Sequence, residues 1–109
     1  MADVIWTEPA LSDLEAIADY IALDKPEAAQ GLVQRVFKHI DQLIDQPESG
    51  SRPKELRGSA YRQIVESPCR IFYRFDGRRV FILHVMRGEM RLRKSKLADR
   101  DKRFGISAP

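Results

Sequence analysis

Leu11, Leu14, Ile17, Ala18 and Ile21 recur at three- and four-residue spacing, and Asp13, Glu15 and Asp19 mostly point away from that stripe. An apolar stripe with this period is one face of an amphipathic helix, here roughly four turns long. Thr7 offers a hydroxyl to cap its start, and Pro9 suits its first turn. Just before it, Val4, Ile5 and Trp6 form a short apolar run, so Asp3 to Thr7 is read as a strand. A second stripe is the strongest signal in the chain: Ala29, Leu32, Val33, Val36, Phe37, Ile40, Leu43 and Ile44 hold the i, i+3, i+4, i+7 pattern. Asp24 and Glu27 stand at capping-box spacing ahead of it, with Pro26 in the first turn, and Pro47 marks the exit. The short link between the two stripes predicts an antiparallel helical hairpin.

The period then changes. Residues 47–60, PESGSRPKELRGSA, are rich in turn formers and charge and read as a loop. Three strand-like runs follow. Tyr61–Glu66 is the first, ending at the Ser67-Pro68 turn. Arg70–Phe75 is the second, with Ile71, Tyr73 and Phe75 on one face and Arg70, Phe72 and Arg74 on the other. Asp76-Gly77 is a hairpin turn signal. Val80–Met86 is apolar on both faces, which suits a central strand. Residues 89–104 are basic and weakly periodic, open to being a helix, an irregular arm or a segment ordered by a partner, and Ile106 to Pro109 reads as a frayed end. The expected fold is a single α+β domain over 1–109 in the order β-α-α-β-β-β. An antiparallel helical hairpin packs on one face of a small, mostly antiparallel sheet, and residues 89–109 form a basic C-terminal arm. On this reading the sheet's other face carries Arg70, Phe72 and Arg74, with Arg62 joining from the neighbouring strand.

Composition narrows the class. With 43% apolar and 32% charged residues, the 109-residue chain matches an ordinary soluble globular protein, and no apolar run nears the ~18 residues of a membrane span. The N-terminus lacks the basic and apolar regions of a secretory signal. Cys69 is the only cysteine, which excludes an internal disulfide and fits a reducing, cytoplasmic setting. Charge adds more than its net value of +3, because residues 1–50 hold 3 Lys/Arg against 10 Asp/Glu and residues 51–109 hold 16 against 6. A basic half attached to an acidic half points to an acidic partner, nucleic acid or an acidic protein segment.

Among candidate groups, His84 has the chemistry of a general base but sits inside the central strand run, where a locally hydrogen-bonded core residue is the better reading. His39 lies beside Ile40 in the second helix and is read as structural. Two distant histidines and one cysteine make no metal-ligand pattern, and a single glycine in Arg87-Gly88-Glu89 makes no phosphate-cradling loop, so no metal or cofactor is expected. Tyr61 and Tyr73 are read as packing residues, and Cys69 as an unactivated thiol. The arginines Arg62, Arg70, Arg74, Arg87, Arg91 and Arg93 remain. Arginine grips phosphate or carboxylate in a planar fork, but its pKa makes it a poor proton acceptor or donor. No lysine of this half lies on a predicted strand. The set is better furnished for binding than for catalysis.

As a whole, the order of VIWTEPALSDLEAIADYIA, KELRGSAYRQIV and CRIFYRFDGRRVFILHVMRGE, over residues 3–93, resembles the ParE/RelE superfamily of type II toxins. The resemblance implies a toxin held silent by a cognate antitoxin in a toxin–antitoxin hetero-oligomer. RelE-like members cleave mRNA on the ribosome with basic residues and usually a C-terminal tyrosine or histidine, whereas ParE-like members are associated with poisoning DNA gyrase. Carried over by motif, Arg62, Arg70 and Arg87 take nuclease positions. A second lysine position falls near the apolar Ile64, and neither tyrosine nor histidine follows Arg87. The Leu-Glu-x-Ile-x-x-Tyr-Ile opening is similar to ParE. The resemblance therefore implies a non-enzymatic gyrase inhibitor with a ParD-like antitoxin, and a RelE-like mRNA endoribonuclease is the alternative.

Overall fold

The computed structural model describes residues 1–105, so the segment Ile106 to Pro109 lies outside the described residues. In chain order the elements are β1 (Asp3–Trp6), α1 (Glu8–Ala22), α2 (Pro26–Asp41), β2 (Tyr61–Glu66), β3 (Cys69–Phe75), β4 (Arg79–Arg87) and α3 (Lys94–Arg100). Short 3-10 turns at Gln42–Ile44 and Lys54–Leu56 and a wider turn at Asp101–Gly105 complete the chain. The sheet order is β1-β4-β3-β2. β1 runs parallel to β4 and the other pairs are antiparallel, so the expected α+β hairpin-on-sheet fold forms.

Thr7 joins three elements. Its hydroxyl accepts from the Ala10 amide at 3.4 Å and donates to the Ile82 carbonyl at 2.7 Å, so the cap that starts α1 also ties it to β4. The capping box expected at Asp24 and Glu27 does not form. Lys25 occupies the N-cap without a side-chain bond, and Pro26, which has no N–H to satisfy, opens the helix.

Two apolar layers sandwich the sheet. On one side Leu14, Leu32, Val36 and Ile40 from the hairpin pack against Ile64, Ile71, Tyr73, Ile82 and Val85. Burial of side chains of this size contributes roughly 1.5–3 kcal/mol each. The other side does not remain an open basic face. Phe72, Phe81, Leu83 and Met86 pack there against Leu92 and Leu97, which the C-terminal segment supplies. The expected arm is therefore in part a helix, α3, folded back onto the sheet, because Leu92 and Leu97 give it an apolar edge that its basic composition hides.

A bulge in β4 shifts the alternation of its side chains. Phe72 pairs with His84 but Tyr73 pairs with Ile82, which leaves Leu83 as the extra residue. His84 thereby shares a face with Phe72, with ring centroids 5.9 Å apart. β1 stops at the Trp6–Ile82 pair, so among the described residues no strand flanks β4 on that side from Leu83 onward. The vacated edge is where the candidate site lies.

Candidate binding groove

Asp13, from the first turns of α1, covers the start of this edge. Its carboxylate accepts from the Val85 amide at 3.1 Å and from Arg100 at 2.6 and 3.2 Å, and lies 3.0 Å from His84 Nδ1. Arg100, at the end of α3, also donates to the Leu83 carbonyl at 3.0 Å. Burial pushes the Asp13 carboxyl up, but its contacts with His84, Arg100 and the Val85 amide outweigh that and hold it at about 2. His84 is 7% exposed and stacked on Phe72, the core histidine that its position in the strand predicts.

Beyond this knot lies a groove of about 430 Å³ between α1, the end of β4 and the segment leading into α3. Ala16, Ile17, Val85, Met86 and Met90 make it apolar. Arg87, Arg91, Arg93 and Lys96 make it basic, and the one acid among its described lining residues is Asp13, ionised and already paired with Arg100. A surface of this kind favours an amphipathic, acidic ligand.

The six predicted arginines do not form one cluster. Arg87, Arg91 and Arg93 meet in the groove. Arg70 and Arg74 lie across the sheet on the α3 face. Arg70 spans the Phe72 ring at 4.8 Å, bonds both Glu55 oxygens at 2.9 Å and donates to Gln63 at 2.9 Å. Arg74 donates to Asp101 at 2.8 Å, and the Tyr61 hydroxyl donates to the same carboxylate at 2.9 Å. Arg62 was expected beside Arg70 and Arg74 but stands on the opposite, hairpin face. Its register partner is Tyr73, and paired residues of an antiparallel ladder point the same way. There it donates to the Gly50 carbonyl at 2.9 Å, in a loop that Tyr73 also anchors through Gly50 and Pro47.

Burial and then Asp101 raise the Tyr61 phenol to about 12. Burial likewise raises the Cys69 thiol, consistent with an unreactive role. His39 meets Glu66 at 3.0 Å, joining α2 to β2. Sequence reasoning missed Asp13, Tyr20, Met90, Lys96 and Arg100. Tyr20 was detectable as a large aromatic one position off the apolar stripe, and it is 66% exposed. Asp13 gave no local signal, since its partner Arg100 is 87 residues away.

Residues 4–92 match the family described as the ParE toxin of type II toxin-antitoxin system, parDE. The chain belongs to the ParE toxin family. Over 89 residues it is 37% identical to Toxin RelE2 of Caulobacter vibrioides, an alignment covering 80% of this chain and 92% of that protein. The chromosomal ParDE TA system from P. aeruginosa superposes with a TM-score of 0.70 at 28% identity, over 82% of this chain and 98% of that one. The RelBE2 toxin–antitoxin complex of Mycobacterium tuberculosis shares the fold, with a TM-score of 0.53 at 22% identity over 79% of this chain and 96% of that one. This ParE-family chain is thus a type II toxin of the ParE/RelE superfamily, as the resemblance implied. The matched span ends at residue 92, so α3 and its Arg100 latch lie beyond it.

Proposed function

We propose that this ParE-family toxin acts by binding, with DNA gyrase as its target, and that a ParD-like antitoxin silences it in a cytoplasmic hetero-oligomer. One observation carries the choice of binding over RNA cleavage: Arg62, Arg70 and Arg87 cannot converge on one phosphate. Arg70 is on the α3 face and tied to Glu55, while Arg62 and Arg87 are on the hairpin face. Their register partners there, Tyr73 and Cys69, stand four positions apart along β3. Proton transfer is no better served. His84 is enclosed by Asp13, Arg100 and Phe72, and a Tyr61 phenol at about 12 is far from the pKa that suits acid–base work near neutrality.

The groove supports the antitoxin half of this reading, since a basic, apolar trough suits a segment that folds on binding. The solved relative from P. aeruginosa is itself a ParDE system. Purified toxin should inhibit supercoiling by gyrase, and a ParD-like antitoxin should restore it. Full supercoiling at a large molar excess of toxin sinks the gyrase reading. Cuts in codon register in cellular mRNA after induction would put a RelE-like activity in its place.

A further inference from the structure

Arg87 stands where the groove meets a second cavity, of about 390 Å³, at the tip of the helical hairpin. Tyr20, Ile21, Leu23, Asp24 and Lys25 line that cavity, the charges of Asp24 and Lys25 offsetting each other, and Arg87 is common to both. Its guanidinium carbon lies 5.6 Å from the Tyr20 ring centroid, which fixes the side chain across the junction. Its Nε is shielded, and among the described residues it has no acceptor in hydrogen-bonding geometry. The Glu89 carboxylate comes within 2.9 Å of that nitrogen but not where its N–H points. Glu89 itself is 62% exposed along its side chain. Arg70 and Arg74 differ, because each holds a carboxylate in full hydrogen-bond geometry.

The surroundings add the chemistry of a ligand. Leu23 and Met90 expose 85% and 59% of their surface on either side of the junction, and Arg91, Arg93 and Lys96 supply charge while the one acid among the described lining residues of the groove, Asp13, is already paired with Arg100. We propose that Arg87 is the specificity-determining anchor of one continuous trough. It takes an aspartate or glutamate from an amphipathic peptide segment whose apolar side chains cover Tyr20, Leu23 and Met90. Glu89 is an internal carboxylate that the partner's own displaces. This rests on the reading that a protein partner silences the chain, and it adds which residue selects that partner and which one competes with it.

The test pans a phage-displayed library of random linear peptides on the full chain, then measures the affinity of the selected peptides by fluorescence anisotropy. Selected peptides should share one acidic position flanked by apolar residues. Arg87→Gln should weaken them about tenfold or more, and Arg87→Lys should restore part of the loss. Glu89→Gln should tighten them about two- to fivefold by removing the competitor. Arg79→Gln, on the far end of β4, should change nothing. Changing the peptide's acid to its amide, on the unaltered toxin, gives the same weakening without touching the fold. Peptides with no acidic preference, affinities indifferent to Arg87→Gln, or no Arg87-dependent binder at all would overturn the proposal. No gyrase enters this experiment, so acid-anchored binding can hold while gyrase inhibition fails, and the reverse.

Discussion

The two faces of the sheet carry the same ingredients in opposite states. On the α3 face, Arg70 lies over Phe72 and is matched by Glu55, Arg74 is matched by Asp101, and Leu97 seals the apolar layer. On the hairpin side, Arg87 lies over Tyr20, its acid is a loosely placed surface glutamate, and the neighbouring apolar groups Leu23 and Met90 face solvent. Arginine beside an aromatic ring is therefore not what marks a site here. What separates the faces is whether the guanidinium has already been given a well-oriented carboxylate and whether the apolar surface around it has been covered. One face has become core, and the other leaves its charge and its hydrophobic area exposed.

Truncating one buried and one exposed side chain tests this contrast most strongly. Leu97 is fully buried between α3 and the sheet, so Leu97→Ala should cost about 2–5 kcal/mol in denaturant unfolding. Met90→Ala, in the groove, should stay within about 0.5 kcal/mol of the parent. A loss at Leu97 as small as that at Met90 would mean that α3 is a loose arm, and the α3 face would then count as available surface.

The latch that holds α3 comes next. Asp13 and Arg100 are each mostly buried and share hydrogen bonds, so the double-mutant cycle Asp13→Ala, Arg100→Ala should give a coupling of about 1–3 kcal/mol. Asp13 titrates at about 2 in the folded chain against an ordinary 3.8. A depressed carboxyl adds stability that is complete above its unfolded pKa and is lost as pH falls toward the folded one. Acid unfolding followed by circular dichroism should therefore show stability draining between about pH 4 and pH 2, with Asp13→Ala flattening that slope. An unchanged slope would remove Asp13 from the latch.

The local architecture was legible in the sequence because it rests on periodicity. The hairpin stripes, the Thr7 cap and the Tyr61–Glu66 strand all follow from spacing and short-range chemistry. Of the six arginines grouped as one binding set, Arg87, Arg91 and Arg93 line one groove, and they are the ones close in the chain. Errors arose where facing depended on long-range register. Arg62 was assigned by analogy with its neighbours, yet the pairing of Tyr61 with Arg74 and of Arg62 with Tyr73 turns it to the hairpin side. The α3 face was expected to be open because Leu92 and Leu97 are isolated among basic residues and give almost no periodic signal. Charge pairing was likewise invisible, because Glu55 lies in a segment that reads only as loop, and nothing local announces that it will meet Arg70.

That last pair offers the gentlest and most discriminating perturbation. Glu55 titrates at about 2 against an ordinary 4.5, chiefly because Arg70 hydrogen-bonds its carboxylate. By the same linkage its contribution is complete above pH 4.5 and lost toward pH 2. Its side chain is 34% exposed, so solvent screening keeps the pair's worth at roughly 0.5–1 kcal/mol, and Glu55→Gln should cost no more than that at neutral pH. The substitution also frees the charge of Arg70, one of the three arginines carried over to nuclease positions. RNA should nevertheless stay intact when incubated with Glu55→Gln toxin on ribosomes, because Arg62 and Arg87 remain on the far side of the sheet and His84, which shares the Phe72 ring with Arg70, is held by Asp13 and Arg100. Cleavage appearing in this variant alone would show the α3 face to be a masked nuclease site, and the line drawn between a spent face and a binding face would have to be moved.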